Sequence, residues 1–189
     1  MDTIQRIAIL VNPLSGRSRA VHIAGELEQL LTERKIPHQV FIKDWPAKFA
    51  GFSDVWIIGG DGTLNYFINH YPDIELPLSI FKGGTGNDFS WKLYGKSTTA
   101  EQVEQILAAA PKKVDAISCN GKLCINSLGI GFDGEIIHAI RTIRWLGGHT
   151  GYLLTVIKNI FSFREKEFVI KLPGKQMQEK FLLININNS

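Results

Sequence analysis

The sequence lacks several features that define large classes of protein. It has no apolar run long enough to span a membrane, and no basic start that leads into an apolar signal core. Cysteine is scarce, since only Cys119 and Cys124 are present, and the five histidines are scattered along the chain. Zinc sites need ligands grouped at short spacing, so a structural zinc site is not expected. We expect a cytoplasmic protein in which both thiols are free.

The chain also lacks a large excess of charge of either sign. Lys and Arg number 21 against 18 Asp and Glu, which leaves a net charge of +3 without a dense basic stripe. A dedicated nucleic-acid binder normally carries such a stripe, so we expect no nucleic-acid partner. The mild positive charge is compatible with an anionic small substrate or with a negatively charged membrane surface.

The most informative stretch is a glycine-rich turn after an apolar run. Val55–Ile58 is apolar throughout and predicts a strand buried on both faces of a parallel sheet. Gly59-Gly60-Asp61-Gly62-Thr63 follows, and Leu64–His70 predicts a helix capped by Thr63 or Asp61. Such a turn lets a phosphate approach bare N–H groups at a helix N-terminus. The alternative is a tight turn that Asp61 merely caps.

Two more predicted strands end in similar chemistry. Ile7–Val11 runs into Asn12-Pro13-Leu14-Ser15-Gly16, ahead of a predicted helix from about Ser18 to Arg34-Lys35. Leu78–Phe81 runs into Gly83-Gly84-Thr85-Gly86-Asn87-Asp88, ahead of a predicted helix from Phe89. In an open parallel sheet, loops at the carboxyl ends of strands line one ligand crevice. We therefore expect the three loops to face one phosphate-bearing ligand.

The rest of the chain changes character near Pro111. Thr98 and Glu101 form a capping-box pair for one more helix before it. After it the prediction is of β structure with two helices: hairpins 114–118/122–126 and 168–172/181–186, and helices 133–144 and 150–161. We therefore predict two domains, 1–111 and 112–189.

At these loops the sequence resembles the diacylglycerol kinase catalytic domain family, which includes sphingosine and ceramide kinases and bacterial lipid kinases. Gly-Gly-Asp-Gly-Thr-Leu-Asn at 59–65 is similar to the family signature, and Gly-Thr-Gly-Asn-Asp-Phe at 84–89 to its second nucleotide loop. Val11-Asn12-Pro13 with Gly16 matches the end of its first strand, and 126–133 the stretch that opens its second lobe.

The resemblance implies an α/β fold: a phosphofructokinase-like, open and mostly parallel sheet with helices, followed by a β-sandwich lobe. ATP and Mg²⁺ are the implied cofactors. Asp61 is the implied catalytic residue, as the base for an acceptor hydroxyl or as a metal ligand through a water, while some members of the family use a base from the far end of the second lobe. Asp88 is suited either to reach a metal or to cap the helix that follows it. The predicted nucleotide-binding residues are Asn12, Pro13, Ser15, Gly16, Gly59, Gly60, Asp61, Gly62, Thr63, Asn65, Gly84, Thr85, Gly86, Asn87 and Asp88. A β-branched residue at Gly62 is expected to fill the phosphate space and to resist a positive φ.

The function implied is an ATP- and Mg²⁺-dependent lipid kinase that phosphorylates a lipid hydroxyl, most simply that of diacylglycerol, within phospholipid biosynthesis. One alternative is a kinase of a soluble metabolite, because NAD kinases and phosphofructokinases share a Gly-Gly-Asp-Gly loop. The other is a nucleotide-binding module without catalysis.

Three positions depart from the family pattern. Tyr66 stands where members often have Glu, Trp91 where an Arg is frequent, and Lys82-Gly83 in place of a common Pro-containing entry. These changes argue against salt bridges at those positions and leave the phosphate loops intact.

A mixed basic and aromatic set lies late in the chain and is compatible with peripheral contact with the inner membrane surface, where a lipid substrate would be met. Solvated helix faces with buried aromatics explain it equally well. Its members are Arg141, Arg144, Trp145, Lys158, Phe161, Phe163 and Arg164.

The last β-rich run, Phe181–Ile186, ends three residues before the chain does. In the resembling family this point falls inside the second lobe. We therefore expect a truncated lobe whose open strand edges promote homo-oligomers or aggregation.

Overall fold

The structure is a computed structural model that describes residues 6–132, 134–135 and 163–188. The chain divides into two compact units, Met1–Asn126 and Ser127–Ser189. The predicted domain boundary at residues 111/112 stays a prediction; the division into units groups the hairpin that follows Pro111 with the first unit.

A four-stranded parallel sheet forms the centre of the first unit. Its strands are β1 (Ile7–Val11), β2 (His38–Ile42), β3 (Asp54–Gly59) and β4 (Leu78–Lys82), in the order β2-β1-β3-β4. Every residue of β1 is buried, as its unbroken apolar run predicts for a strand covered on both faces. The predicted α/β class is confirmed.

Helices cover both faces of this sheet. They are α1 (Arg19–Glu33), α2 (Asp61–His70), α3 (Asp88–Tyr94) and α4 (Thr99–Ala108). Side chains of β1 alternate between two cores, because successive residues of a strand point to opposite faces. Ile7, Ile9 and Val11 pack with α1, whereas Ala8 and Leu10 join the core under α2.

The predicted capping box of α4 is confirmed. Thr98 accepts from the Glu101 N–H, and the Glu101 carboxylate accepts from the Thr98 N–H at 2.8 Å. Two N–H groups that the helix leaves without intrahelical partners are thereby satisfied.

A short hairpin closes the first unit. Strands β5 (Ile117–Cys119) and β6 (Lys122–Cys124) turn at Asn120-Gly121, whose φ values of 50° and 74° fit a two-residue hairpin turn. The hairpin is thus present but shorter than 114–118/122–126. Its register puts Cys119 and Cys124 on one face, and the two cysteines do not form a disulfide, as predicted.

The second unit contains antiparallel strands. Strand β8 (Lys166–Leu172) pairs with β9 (Lys175–Phe181) across Pro173-Gly174, and β10 (Leu183–Asn187) pairs with β7 (Ser127–Gly131). The predicted pairing of 168–172 with 181–186 is wrong. The turn reverses the chain after two residues, so the strand that follows at once is the partner.

Several predictions fall on residues that are not described. The helices 133–144 and 150–161 lie almost entirely outside the described ranges, and so does the basic and aromatic set except Phe163 and Arg164. Within the described ranges, no helix combines the length and hydropathy needed to cross a membrane.

Candidate functional site

Three loops meet at one edge of the sheet. Strands β1, β3 and β4 are parallel neighbours, so the loops that follow them all leave from the carboxyl edge. These are the Asn12–Gly16 loop, the turn into α2, and the loop from Gly83 to Asn87. In open parallel sheets this edge is where ligands bind.

The first loop is tied to α2 through Thr63. Asn12 Nδ2 donates to Thr63 Oγ1 at 2.9 Å, and Ser15 Oγ lies 3.2 Å from the same oxygen. Asn12 Oδ1 accepts from the Leu14 N–H at 3.1 Å, which shapes the loop as an Asx turn. The polar side chains of this loop are therefore held against the N-terminal turn of α2.

The other two loops touch backbone to backbone. A Cβ on Gly60 would lie 3.1 Å from Gly84 Cα, so a side chain has little room there. Asn87 holds the second loop closed, because its Oδ1 accepts from the Gly84 N–H at 2.7 Å and its Nδ2 donates to the Gly84 carbonyl at 3.0 Å. The glycines permit this approach because they have no Cβ.

The carboxylate of Asp61 joins three segments of chain. Its Oδ2 accepts from the Asp88 N–H at 3.0 Å, and its Oδ1 accepts from the Phe89 N–H at 2.9 Å. Asn126 Nδ2 also donates to Oδ1, at 2.8 Å. Because helix N-termini favour negative charge, the carboxylate stabilises the start of α3.

This arrangement corrects the predicted cap of α2. The N-cap of α2 is Gly60, and neither Thr63 nor Asp61 provides a side-chain cap. Asp61 instead caps α3, the next helix along the sheet edge. Sequence spacing suggested the local cap, whereas the packing of β3 beside β4 brings α3 into reach.

Open space lies over Gly62. It belongs to the first turn of α2, and a Cβ built on it meets no atom within 4 Å. The expected positive φ at this position is wrong, because Gly62 has a helical backbone. The first-turn N–H groups of a helix have no intrahelical acceptors, so this is a place where an anion can approach closely.

The remaining predicted residues lie on the same loops. Asn65 is exposed on α2, Thr85 and Gly86 are exposed in the second loop, and Pro13 is half-buried in the first. Gly59 ends β3, and its carbonyl accepts from the Gly83 N–H at 3.0 Å.

Two contributors were missed by sequence reasoning. Asn126 bonds Asp61 from far along the chain, and its only signal was its place in a stretch similar to the family. Lys82 ends β4: its ammonium donates to the Gly95 and Ser97 carbonyls and lies 4.2 Å from the Trp91 ring centroid. Burial lowers the pKa of Lys82. Lys82 thus holds the far end of α3 while Asp61 holds its start.

The donor chemistry near the second loop fits a hydrated divalent cation. A Cβ on Gly86 would lie 3.4 Å from Asp61 Oδ2 and 3.8 Å from Asp88 Oδ1, so both carboxylates border one space. The described residues contain no group of three or more His, Cys, Asp or Glu side chains placed to bind a metal. Mg²⁺ commonly binds through one or two carboxylates together with waters and phosphates, so the pair is a suitable set.

Comparison with known proteins agrees with this geometry. The family model for the diacylglycerol kinase catalytic domain matches residues 6–119. A Staphylococcus aureus (strain MSSA476) protein named as a putative lipid kinase is 38% identical over 124 residues, which is 64% of this chain and 41% of that protein. One from Staphylococcus carnosus (strain TM300) with the same type of name is 28% identical over 138 residues, 70% of this chain and 44% of that protein. The chain therefore spans less than half the length of these relatives.

Solved structures share the fold. A crystal structure described as a putative diacylglycerol kinase from Bacillus anthracis str. Sterne aligns with a TM-score of 0.73 at 23% identity, over 100% of this chain and 66% of that one. Identity this low is evidence for the fold alone. Because the family model matches more than half of the sequence and its loops meet at one sheet edge, the chain belongs to the diacylglycerol kinase catalytic domain family.

Proposed function

We propose that this chain contributes the nucleotide-binding part of an ATP- and Mg²⁺-dependent lipid kinase that phosphorylates a lipid hydroxyl, with diacylglycerol as the leading acceptor. The observation that carries the proposal is the joining of three glycine-containing loops around the open start of α2, in a member of this family.

The nucleotide phosphates would lie over Gly62, against the N-terminal turn of α2. Asn12, Ser15 and Thr63, which hydrogen-bond to one another, would border the phosphates on one side, and the Gly84–Asn87 segment would border them on the other. Phosphoryl transfer requires mainly positioning and charge stabilisation, and fixed loops supply both.

Asp61 and Asp88 would hold Mg²⁺, which when bound offsets the phosphate charge. The alternative role for Asp61 is to receive the proton of the acceptor hydroxyl, in which case Asp88 would hold the cation without it. A carboxylate has about four acceptor sites, and three hydrogen bonds from the protein occupy Asp61. One direction therefore stays open toward a hydroxyl or a water, while the helix and the amide keep the carboxylate oriented.

The test is phosphate transfer from labelled ATP to mixed vesicles that contain diacylglycerol, with Mg²⁺ and with EDTA. The longest natural reading frame that encodes residues 1–189 is assayed beside the chain itself, because the lipid relatives are longer. Labelled phosphatidic acid that depends on Mg²⁺ and disappears in Asp61→Asn is the expected result.

Two other outcomes would change the assignment. Label in NADP or in a sugar phosphate, with inert vesicles, would favour a kinase of a soluble metabolite. ATP binding without transfer to any acceptor by the longest frame would favour a non-catalytic module. Vesicle pelleting and mass measurement in solution test the proposed peripheral membrane contact and the homo-oligomer.

A further inference from the structure

A cluster of aromatic rings lies beside the phosphate loops and takes no part in the contacts described above. Its members are Trp45, Tyr66 and His70, called here the aromatic surface. The Tyr66 ring stacks on His70 at a centroid distance of 5.4 Å and an interplanar angle of 13°, and Trp45 meets Tyr66 edge to face at 5.9 Å. Tyr66 is 58% exposed.

The aromatic surface begins where the phosphate loops end. Trp45 Nε1 donates to the Val11 carbonyl at 3.3 Å, directly before Asn12 in the chain. Tyr66 lies four residues after Gly62 in α2, and residues at this spacing share a helix face. Tyr66 therefore lies on the same face of α2 as Gly62, about 6 Å further along the helix axis.

Aromatic faces attract planar π systems, and stacking on an aromatic side chain holds a base whatever its identity, because every base has a π face. Stacking on His70 covers one face of the Tyr66 ring, Trp45 lies next to that ring on the side of β1, and 58% of Tyr66 remains exposed. We propose that the base of the nucleotide stacks on the aromatic surface while its phosphates lie over Gly62. This assignment rests on the proposed function, since it extends the same site from phosphate to base.

The competing occupant is a lipid chain. Exposed Lys43 and Lys48 flank Trp45, so basic charge does not separate the two occupants. The size of the platform does, because three side chains suit one planar group, whereas contact with a bilayer calls for a wider apolar patch. If the surface binds lipid, substitutions in it should weaken vesicle binding. If it binds the base, they should weaken binding of ATP but not of a ligand that lacks the base.

The experiment compares ATP with inorganic triphosphate, which has the phosphates but no base. Binding is measured by calorimetry for the wild-type chain, Trp45→Leu, Tyr66→Leu and the control Val21→Ala, an exposed apolar residue on α1. Loss of one stacking ring should weaken ATP binding by roughly 5- to 100-fold. Affinity for triphosphate should stay unchanged in all variants, and Val21→Ala should bind both ligands like the wild type.

A second readout protects against misfolding. Trp45 fluorescence should change on addition of ATP but not of triphosphate, and Tyr66→Leu, which alters an exposed side chain, should melt within a few degrees of the wild type. Equal loss of ATP and triphosphate affinity, or unchanged ATP affinity in Tyr66→Leu, would overturn the base assignment. So would a loss in Tyr66→Leu confined to binding of phosphatidylglycerol vesicles.

The proposed function fails in a different way. If the wild-type chain binds neither ATP nor triphosphate, the nucleotide site itself is wrong and the base assignment falls with it. If it binds both with the same affinity, the phosphate site stands and only the base assignment is refuted.

Discussion

Replacement of Asp61 by Asn should cost stability as well as activity. The carboxylate accepts from the Asp88 and Phe89 N–H groups and from Asn126. An amide keeps one acceptor oxygen and presents N–H donors in place of the other, so at least one of the three donors loses its partner. The negative charge at the start of α3 is lost too, although the Asn side chain has nearly the same size and shape as that of Asp.

The magnitude follows from these contacts. A donor left without its partner costs about 1–3 kcal/mol, and the lower half applies because the Asp88 N–H is exposed. With the charge effect at the helix start included, we expect about 1–2 kcal/mol. For a chain of this length that lowers the Tm by about 2–8 °C. Phosphoryl transfer should fall far more, by a factor of about 100 or greater for loss of a positioned base.

The assay is thermal unfolding beside ATP binding and transfer. For thermal unfolding alone, Asp88→Asn is the matched control, because it removes a charge from the same turn of α3 and leaves the Asp61 carboxylate in place; its transfer activity should fall, since Asp88 is a proposed Mg²⁺ ligand. Asn126→Ala completes a double-mutant cycle, in which the Asp61–Asn126 bond should give a coupling of about 0.5–1.5 kcal/mol. A Tm for Asp61→Asn equal to that of the wild type, with no coupling in the cycle, would refute the account of Asp61 as the link between the loops.

Three further predictions concern the same unit. Gly62→Ala should fold at least as stably as the wild type, because its Cβ meets no atom, yet it should bind ATP at least about 10-fold more weakly through steric conflict with the phosphates. Gly83→Ala should instead lose stability, because its Cβ would lie 2.9 Å from a backbone nitrogen of β3. Equal melting temperatures of the two variants would contradict this. Thr98→Ala should lower the free energy of unfolding by about 1 kcal/mol. Because hydrogen bonds from Thr98 lower the pKa of Glu101, the stability that Glu101 adds is present above its usual pKa of 4.5 and should vanish as pH falls through the lower pKa of the folded state. Urea unfolding of the wild type and Glu101→Gln between pH 7 and 3 would measure this loss. Burial raises the pKa of Asp54, against an opposing hydrogen bond from Ser53. The stability of Asp54→Asn relative to the wild type should therefore grow as pH rises through that pKa. A difference in urea midpoint that does not change with pH would contradict this.

Local patterns in the sequence were sufficient for the main elements of the first unit. The unbroken apolar runs of β1 and β3 predicted buried parallel strands, and the apolar spacing after Ser18 predicted α1. The Thr98–Glu101 box and the Asn120-Gly121 turn were also predicted, because capping and tight turns depend on residues close together in the chain.

Tertiary structure decided which segments meet. Asp61 had an obvious local role as a cap for α2, but the neighbouring positions of β3 and β4 put the start of α3 within reach of its carboxylate. The contacts of Asn126 with Asp61 and of Trp45 with Tyr66 join residues that are distant in sequence, and no periodic pattern encodes such pairs. The short turn after β8 makes β9 its partner, and β10 pairs with β7 instead of with β8. Sequence alone therefore determined the strands, the helices and the glycine loops, while the order of strands in the sheet determined which side chains surround the open start of α2.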